Sequence, residues 1–298
     1  MACGDGNGHE AILLVVIRRR SSLARWSAAA VAGLCLHSGA EARAEDAVPA
    51  SATAAALLDR AFHNLYADDY IQTMELTTRS RGGREMSKRL QITRKQSVRP
   101  GKALVRFLEP YAIRRTSVLV LENDERADDL YVYLPAVERT RHLSAAQRKD
   151  SFFGTDLSYE DVEPKQAADY VADWVSPAGA GDEPCALLEI QARPQFESTY
   201  ERLVSCIEPE RAIILWTEFY RDGSVVKRLE IDPRKVRQIG TKFIPFAMTI
   251  KATRKRSETR IVTESYELRP SIPDNLFSTW NLEWGNADRD RSKAAASD

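Results

Sequence analysis

Two periodicities divide the chain. Over residues 53–66 apolar positions recur at helical spacing: Leu57, Ala61 and Leu65 lie at i, i+4 and i+8, with Leu58 and Phe62 beside them. That pattern predicts an amphipathic helix, with Thr53 as its N-terminal cap. From Tyr70 the period drops to two. Met86, Leu90 and Ile92 share one side while Glu85, Ser87, Arg89 and Gln91 share the other, and Ala103, Val105 and Phe107 alternate with Leu104, Arg106 and Leu108. Alternation of this kind marks strands of a sheet. It predicts strands over 70–80, 84–95, 102–109, 116–122 and 129–134, and a second set over 185–193, 199–207, 211–220, 225–232, 235–240, 243–252 and 258–268. Gly82-Gly83 and Asp222-Gly223 read as hairpin turns, and Gly240 with Pro245 as a further bend. The stretch Ser117-Val118-Leu119-Val120-Leu121 is apolar on both sides and belongs in a central, covered strand. Residues 144–170 read as loop and short helix, 177–184 as a surface turn, and 273–277 as a short closing helical turn. An antiparallel sheet of roughly ten or eleven strands twists and curls. The expected fold is therefore mainly β with packed helices. A single antiparallel sheet curls into an unclosed barrel, with the N-terminal helix and short helices over its concave face.

The ends fall outside that pattern. Arg18, Arg19, Arg20 and Arg25 precede a short apolar run over 26–36, and Ala42-Arg43-Ala44 is a small-x-small cleavage site. That order is a secretory signal peptide over 1–44, with the start of the chain set further upstream than such a leader needs; the apolar run is too short to span a bilayer. Leu34 directly before Cys35 argues against lipid attachment there. The folded domain is expected over 45–285, and the polar stretch over 286–298 as a disordered tail. Lysine and arginine number 43, as do aspartate and glutamate. A balance of that kind supplies no general drive toward nucleic acid or anionic membranes.

Past the leader only two cysteines remain, Cys185 and Cys206, on two neighbouring predicted strands. A turn centred between Gln195 and Phe196 would set them opposite one another, which predicts a cross-strand disulfide and an oxidising compartment. Two cysteines with His63 and His142 are too few and too scattered for a metal site. Catalytic patterns are missing as well. Neither histidine accompanies a Gly-x-Ser-x-Gly nucleophile turn, and no Gly-rich phosphate loop occurs. The adjacent carboxylates Asp68-Asp69, Asp128-Asp129 and Glu160-Asp161 read as solvated or capping groups. No enzyme activity and no cofactor are expected.

One region carries more information. Leu130-Tyr131-Val132-Tyr133-Leu134-Pro135 is followed by Arg139-Thr140-Arg141, and then by Phe152-Phe153-Gly154-Thr155-Asp156-Leu157-Ser158-Tyr159-Glu160-Asp161. With Leu104 to Pro110 and the terminal Asn275-Leu276-Phe277, these segments resemble the LolA-like outer-membrane lipoprotein-sorting family over most of residues 70–284. The 152–161 loop is the specific element. Ile113-Arg114-Arg115-Thr116 departs from the family pattern in lacking a glycine after the proline.

The resemblance implies a periplasmic protein with an apolar cavity that takes the acyl chains of a lipid or lipoprotein and moves them toward the outer membrane. Some members act beside an inner-membrane exporter. A lipid-sensing module that regulates or docks on a membrane protein is the alternative. A monomer is expected, without nucleic-acid partners. Candidate cavity residues are Leu76, Leu90, Ile92, Val105, Phe107, Leu119, Tyr131, Tyr133, Phe246, Met248 and Ile250. The loop residues singled out are Phe153, Gly154, Asp156, Ser158, Tyr159 and Asp161. Asp156, Ser158 and Asp161 are expected to brace the loop by side chain-to-backbone hydrogen bonds, and Gly154 to supply a positive φ. Arg139 and Arg141, two apart on a strand, point the same way as a head-group or partner contact, or as a solvated face paired with Glu138 or Asp161.

Overall fold

The computed structural model describes residues 53–97, 99–176 and 185–283. The expected leader, the 177–184 turn and the tail lie outside the described residues. Helix α1 spans Ala54–Tyr66, and the Thr53 side chain accepts from the Ala56 N–H as its cap. Six strands follow: β1 (Tyr70–Arg79), β2 (Glu85–Lys95), β3 (Lys102–Glu109), β4 (Ser117–Leu121), β5 (Asp129–Leu134) and β6 (Arg139–His142). After a long loop come β7 (Tyr170–Ser176), β8 (Ala186–Ala192), β9 (Arg202–Glu208), β10 (Ile213–Arg221) and β11 (Ser224–Ile231). The described residues end with β12 (Val236–Ile239), β13 (Lys242–Pro245), β14 (Ala247–Ala252), β15 (Ser257–Leu268) and helix α2 (Thr279–Glu283).

Thirteen of these strands form one antiparallel sheet in the order β6-β5-β4-β3-β2-β1-β15-β14-β11-β10-β9-β8-β7. Its edges are β6 and β7, so the sheet does not close into a barrel. Two differences from the expected strands stand out. β7 is an additional strand, paired with β8 around a bulge at Trp174/Ser176. β12 and β13 leave the main sheet as a separate hairpin. There Pro245 has no N–H to offer a further neighbour, and the Phe246 N–H turns back to the Lys235 carbonyl at 2.8 Å.

The Asp222-Gly223 turn between β10 and β11 takes positive φ at both residues, 52° and 67°, as a tight two-residue hairpin requires. The predicted disulfide is present between Cys185 and Cys206, with Cα atoms 5.5 Å apart. Its register differs from the expected one. Leu187, not Cys185, lies opposite Cys206, so the bridge runs diagonally. The 193–201 connection carries a short helical turn, Pro194–Phe196, followed by Glu197 at φ 45°, and this moves the centre of the turn by one residue.

Three apolar clusters form the core. α1 lays Leu57, Leu58, Ala61 and Phe62 on Leu188, Ile190, Ile207, Ile214 and Ile231. On the same side of the sheet, Met74, Leu76, Leu90, Val105, Phe107, Val118, Val120, Leu130 and Val132 gather around Phe152 from the long loop. Lys227, Leu229 and Ile231 alternate onto this side, which links the two clusters across β11. We call it the inner face. The intervening residues Leu104, Leu119 and Tyr133 meet Ile272, Phe277 and Leu282 on the outer face. This explains why Ser117–Leu121 is apolar on both sides: the loop covers one and the C-terminal segment the other.

Candidate functional site

The site is the inner face of β1–β5 together with the loop that lies on it. Residues 151–158 of this loop make a miniature hairpin. Ser151 and Ser158 form an antiparallel bridge, the Phe152 N–H donates to the Leu157 carbonyl at 2.8 Å, and the Thr155 N–H donates to the Phe152 carbonyl at 3.1 Å. The two turn residues, Phe153 and Gly154, have φ of 49° and 77°. Glycine relieves the second of these left-handed positions; Phe153 holds the first against its own preference. The turn drives the aromatic side chains into the sheet. Phe152 is fully buried, its ring 5.5 Å from Phe107, 5.2 Å from Phe153 and 5.6 Å from Tyr159. Phe153 stands edge-on to Phe107 at 4.7 Å.

Polar groups fasten this hairpin at both ends. At the tip, the Asp156 N–H donates to the Thr259 hydroxyl at 3.0 Å, and that hydroxyl donates to the Asp156 carboxylate at 2.8 Å. Ser257 donates to the other carboxylate oxygen. At the base, Asp161 accepts from the Ser158 N–H at 2.6 Å and from the Tyr200 hydroxyl at 3.0 Å, and pairs with Lys227. Lys227 also sits over the rings of Tyr200 and Phe219, at 5.0 and 4.9 Å. Burial pushes the Asp161 carboxyl up, but Lys227 and the Ser158 N–H outweigh it and hold it below the ordinary carboxylate range. Glu160 accepts from the Thr199 N–H at 2.8 Å and from Ser198, and Arg148 pairs with Glu163. The expectation was that Asp156, Ser158 and Asp161 brace the loop by side chain-to-backbone hydrogen bonds. Only the Ser158–Asp161 bond does so; Asp156 reaches β15, and Asp161 reaches β11.

The candidate cavity residues divide between faces. Leu76, Leu90, Ile92, Val105, Phe107, Met248 and Ile250 meet in the inner cluster, where Phe152, Phe153, Leu157 and Tyr159 cover them. Leu119, Tyr131 and Tyr133 lie on the outer face with the C-terminal segment. Phe246 is buried beside β13, its ring under the Arg237 guanidinium at 4.1 Å. Arg139 and Arg141 are exposed on the β6 edge, opposite Leu134 and Val132 and so toward the inner side. Asp161 pairs with Lys227 instead of either arginine.

Residues the sequence reading missed are Lys227, Thr259 and Tyr200. A lysine in line with Leu229 and Ile231 was the available signal, since a charge at an inward position needs a partner.

Beside the loop base lies a buried ionic cluster. Burial and the neighbouring Glu163 push Asp128 up to about 7, against the Asn123 N–H that it accepts at 3.1 Å. Burial and Glu122 push Asp169 up to about 6. Among the described residues no group of histidine, cysteine and carboxylate side chains is placed to hold a metal ion. No helix there is long and apolar enough to cross a membrane.

A family model described as an uncharacterized protein matches residues 100–284. Solved structures supply the fold. A protein from Vibrio parahaemolyticus described as an outer membrane lipoprotein-sorting protein domain superposes with a TM-score of 0.70 at 20% identity, over 77% of this chain and 98% of that one. A LolA superfamily protein from Nitrosomonas europaea gives 0.63 at 19% identity, over 76% and 98%. The chain belongs to a family of LolA-like fold. A DUF1329 family protein from Desulfovibrio piger shares the LolA-like sheet equally well, with a TM-score of 0.70 at 21% identity over 77% of this chain and 97% of that one. No curated protein matches the sequence. In this LolA-like chain the 152–161 loop, the element that first suggested the family, is the part that covers the apolar inner face.

Proposed function

We propose that the protein is a periplasmic carrier that binds the acyl chains of a lipid or lipoprotein against the inner face of β1–β5 and moves them toward the outer membrane. One observation carries the reading. The apolar inner face is covered by a hairpin that adds aromatic side chains but does not join the ladder of the sheet. Its named fastenings to the strands are polar side-chain contacts at its tip and base. A cover of this kind can be exchanged for hydrocarbon without unzipping a strand. Each CH₂ sheltered there is worth about 0.8 kcal/mol, so a fatty chain can compete with the four covering side chains Phe152, Phe153, Leu157 and Tyr159. The disulfide, the leader-like N-terminus and the outer membrane lipoprotein-sorting description of the Vibrio parahaemolyticus neighbour support a periplasmic site of action. On this reading the chain works as a monomer, without a chemical step of its own, and hands its cargo to or from a membrane exporter.

Native mass spectrometry of protein purified from its own envelope tests it. A co-purifying lipid is expected, and Phe107→Asp should lose it because a carboxylate in that face is costly. Lipid retained in a folded Phe107→Asp protein would remove the inner face as the binding site. Transfer between labelled vesicles then separates a carrier from a sensor, which would take up lipid without passing it on.

A further inference from the structure

Every hairpin of an antiparallel sheet returns the chain to one of two ends, and the two ends of this sheet differ in charge. At one end lie, in order along the rim, the β5–β6, β3–β4, β1–β2, β14–β15 and β10–β11 turns and the β8–β9 connection. The first four carry six exposed cations, Arg81, Arg84, Arg114 and the run Arg254-Lys255-Arg256, beside one exposed acid, Glu138; the last two carry Asp222, Glu197 and Arg193. None of these six is in an ion pair among the described residues, whereas the cations of the strands below are paired: Arg79 with Glu85, Arg228 with Glu218, Lys251 with Glu230. The opposite end has Asp68, Asp124, Glu125 and Glu210 on its turns, and the arginines there, Arg99, Arg126 and Arg211, are each paired with a carboxylate. The molecule is therefore electrically polarised along its strands although its formal net charge is +0.

The basic end also exposes apolar side chains where a turn has no structural need of them. Tyr111, at the tip of the β3–β4 connection, is 89% exposed, and Val137, in the β5–β6 turn, is 64% exposed. Beside the β14–β15 turn, reaching from the end of β1 to β10 and β11, a cleft of about 770 Å³ opens, with Arg79, Arg81, Arg228, Lys251 and Arg256 and also Glu218 and Glu258 on its wall. Exposed apolar side chains on the same turns as unpaired cations match a bilayer interface: the apolar side chains enter the acyl boundary and the cations meet lipid phosphates. An acidic protein surface would satisfy the cations but would leave Tyr111 and Val137 unexplained.

We propose that this rim is a docking surface for an anionic phospholipid bilayer. The inference stands apart from lipid carriage, because it concerns where the molecule sits and not what it holds. The two are geometrically compatible. Asp156 is fastened to Ser257 and Thr259 in the first residues of β15, so the tip of the covering hairpin lies at this same rim.

Sedimentation of the purified protein with vesicles tests it. Binding is expected to phosphatidylglycerol–phosphatidylethanolamine vesicles at low salt, weakening as salt is raised, with little binding to phosphatidylcholine. Removing three cations as Arg254→Gln, Lys255→Gln and Arg256→Asn should weaken binding by about a hundredfold; asparagine is chosen because residue 256 has a φ of 51°. Tyr111→Ser with Val137→Ser should weaken it by about tenfold. Unchanged thermal unfolding identifies variants that still fold. Failure of the wild type to sediment with anionic vesicles overturns the proposal, as does unaltered binding by either folded variant. Lipid carriage would survive those results, since Phe107→Asp tests a different face.

Discussion

Replacing Lys227 by methionine isolates the fastening at the loop base. The change keeps the length of the stem and removes the ammonium, leaving the Asp161 carboxylate buried with only the Ser158 N–H and the Tyr200 hydroxyl to solvate it. Breaking a buried pair in this way costs about 3–5 kcal/mol, and the two surviving donors put the expected loss near the lower bound. For a domain of this size that corresponds to a fall in Tm of roughly 6–12 °C.

The pH dependence gives a sharper test than the size of the loss. In the wild type Asp161 is held below its ordinary pKa of 3.8, so its stabilisation is present above about pH 4 and is lost as pH falls through the depressed value. Without Lys227, burial raises the same carboxyl, and the folded variant then binds a proton more readily than the unfolded chain. Acidification from pH 7 toward pH 5 should therefore narrow the gap between variant and wild type. Chemical denaturation at both pH values measures it, and Asp161→Asn with Lys227→Met should recover most of the loss by removing the stranded charge. A gap of equal size at pH 7 and pH 5 would refute the argument that a buried carboxylate is left unpaired.

Four further outcomes are expected. Phe152→Ala should cost about 3–5 kcal/mol as a large-to-small change at a fully buried ring, measured by denaturation, and added long-chain fatty acid should restore part of it if hydrocarbon can fill the space. Reducing the Cys185–Cys206 bridge, which closes a separation of 21 residues, should cost about 2–4 kcal/mol in thermal unfolding with and without reductant. Asp128, raised to about 7, favours folding while it is neutral; its contribution is full below its ordinary 3.8 and is lost as pH rises through about 7, so Asp128→Asn should flatten a decline in Tm between pH 5 and pH 8. Gly101→Ala should destabilise by about 1–3 kcal/mol, because an added Cβ would run into Gln96 Oε1 and lie 2.8 Å from both Glu122 oxygens, where both side chains meet the buried Arg94; a wild-type unfolding midpoint would show that these side chains can shift aside.

What could be read from the sequence was local. Thr53, Leu57 and Phe62 define α1 within one segment, and Asp222-Gly223 defines its hairpin within two residues. What could not be read depends on partners far along the chain. Asp156 meets Thr259 across 103 positions, and nothing near Asp156 announces that partner. The alternation in Ser117–Leu121 shows that both sides are covered but not by what, so Leu119 was grouped with inner residues although Ile272 and Phe277 cover it from outside. Tyr170–Ser176 escaped notice because its burial is shallow throughout, as befits an edge strand. The 193–201 connection hid its true centre because a helical turn occupies it.

The pairing of β1 with β15 has a consequence for how the molecule comes into being. Within the main sheet the other pairings join strands from the same half of the chain, whereas this one joins Tyr70 to Leu268. During synthesis from the N-terminus, one edge of β1 stays bare until the last strand, β15, has emerged. Until then the nascent chain offers a ten-residue ladder to any extended peptide that reaches it. Truncation before Ser257 should accordingly yield insoluble material, since it leaves that ladder without its natural neighbour.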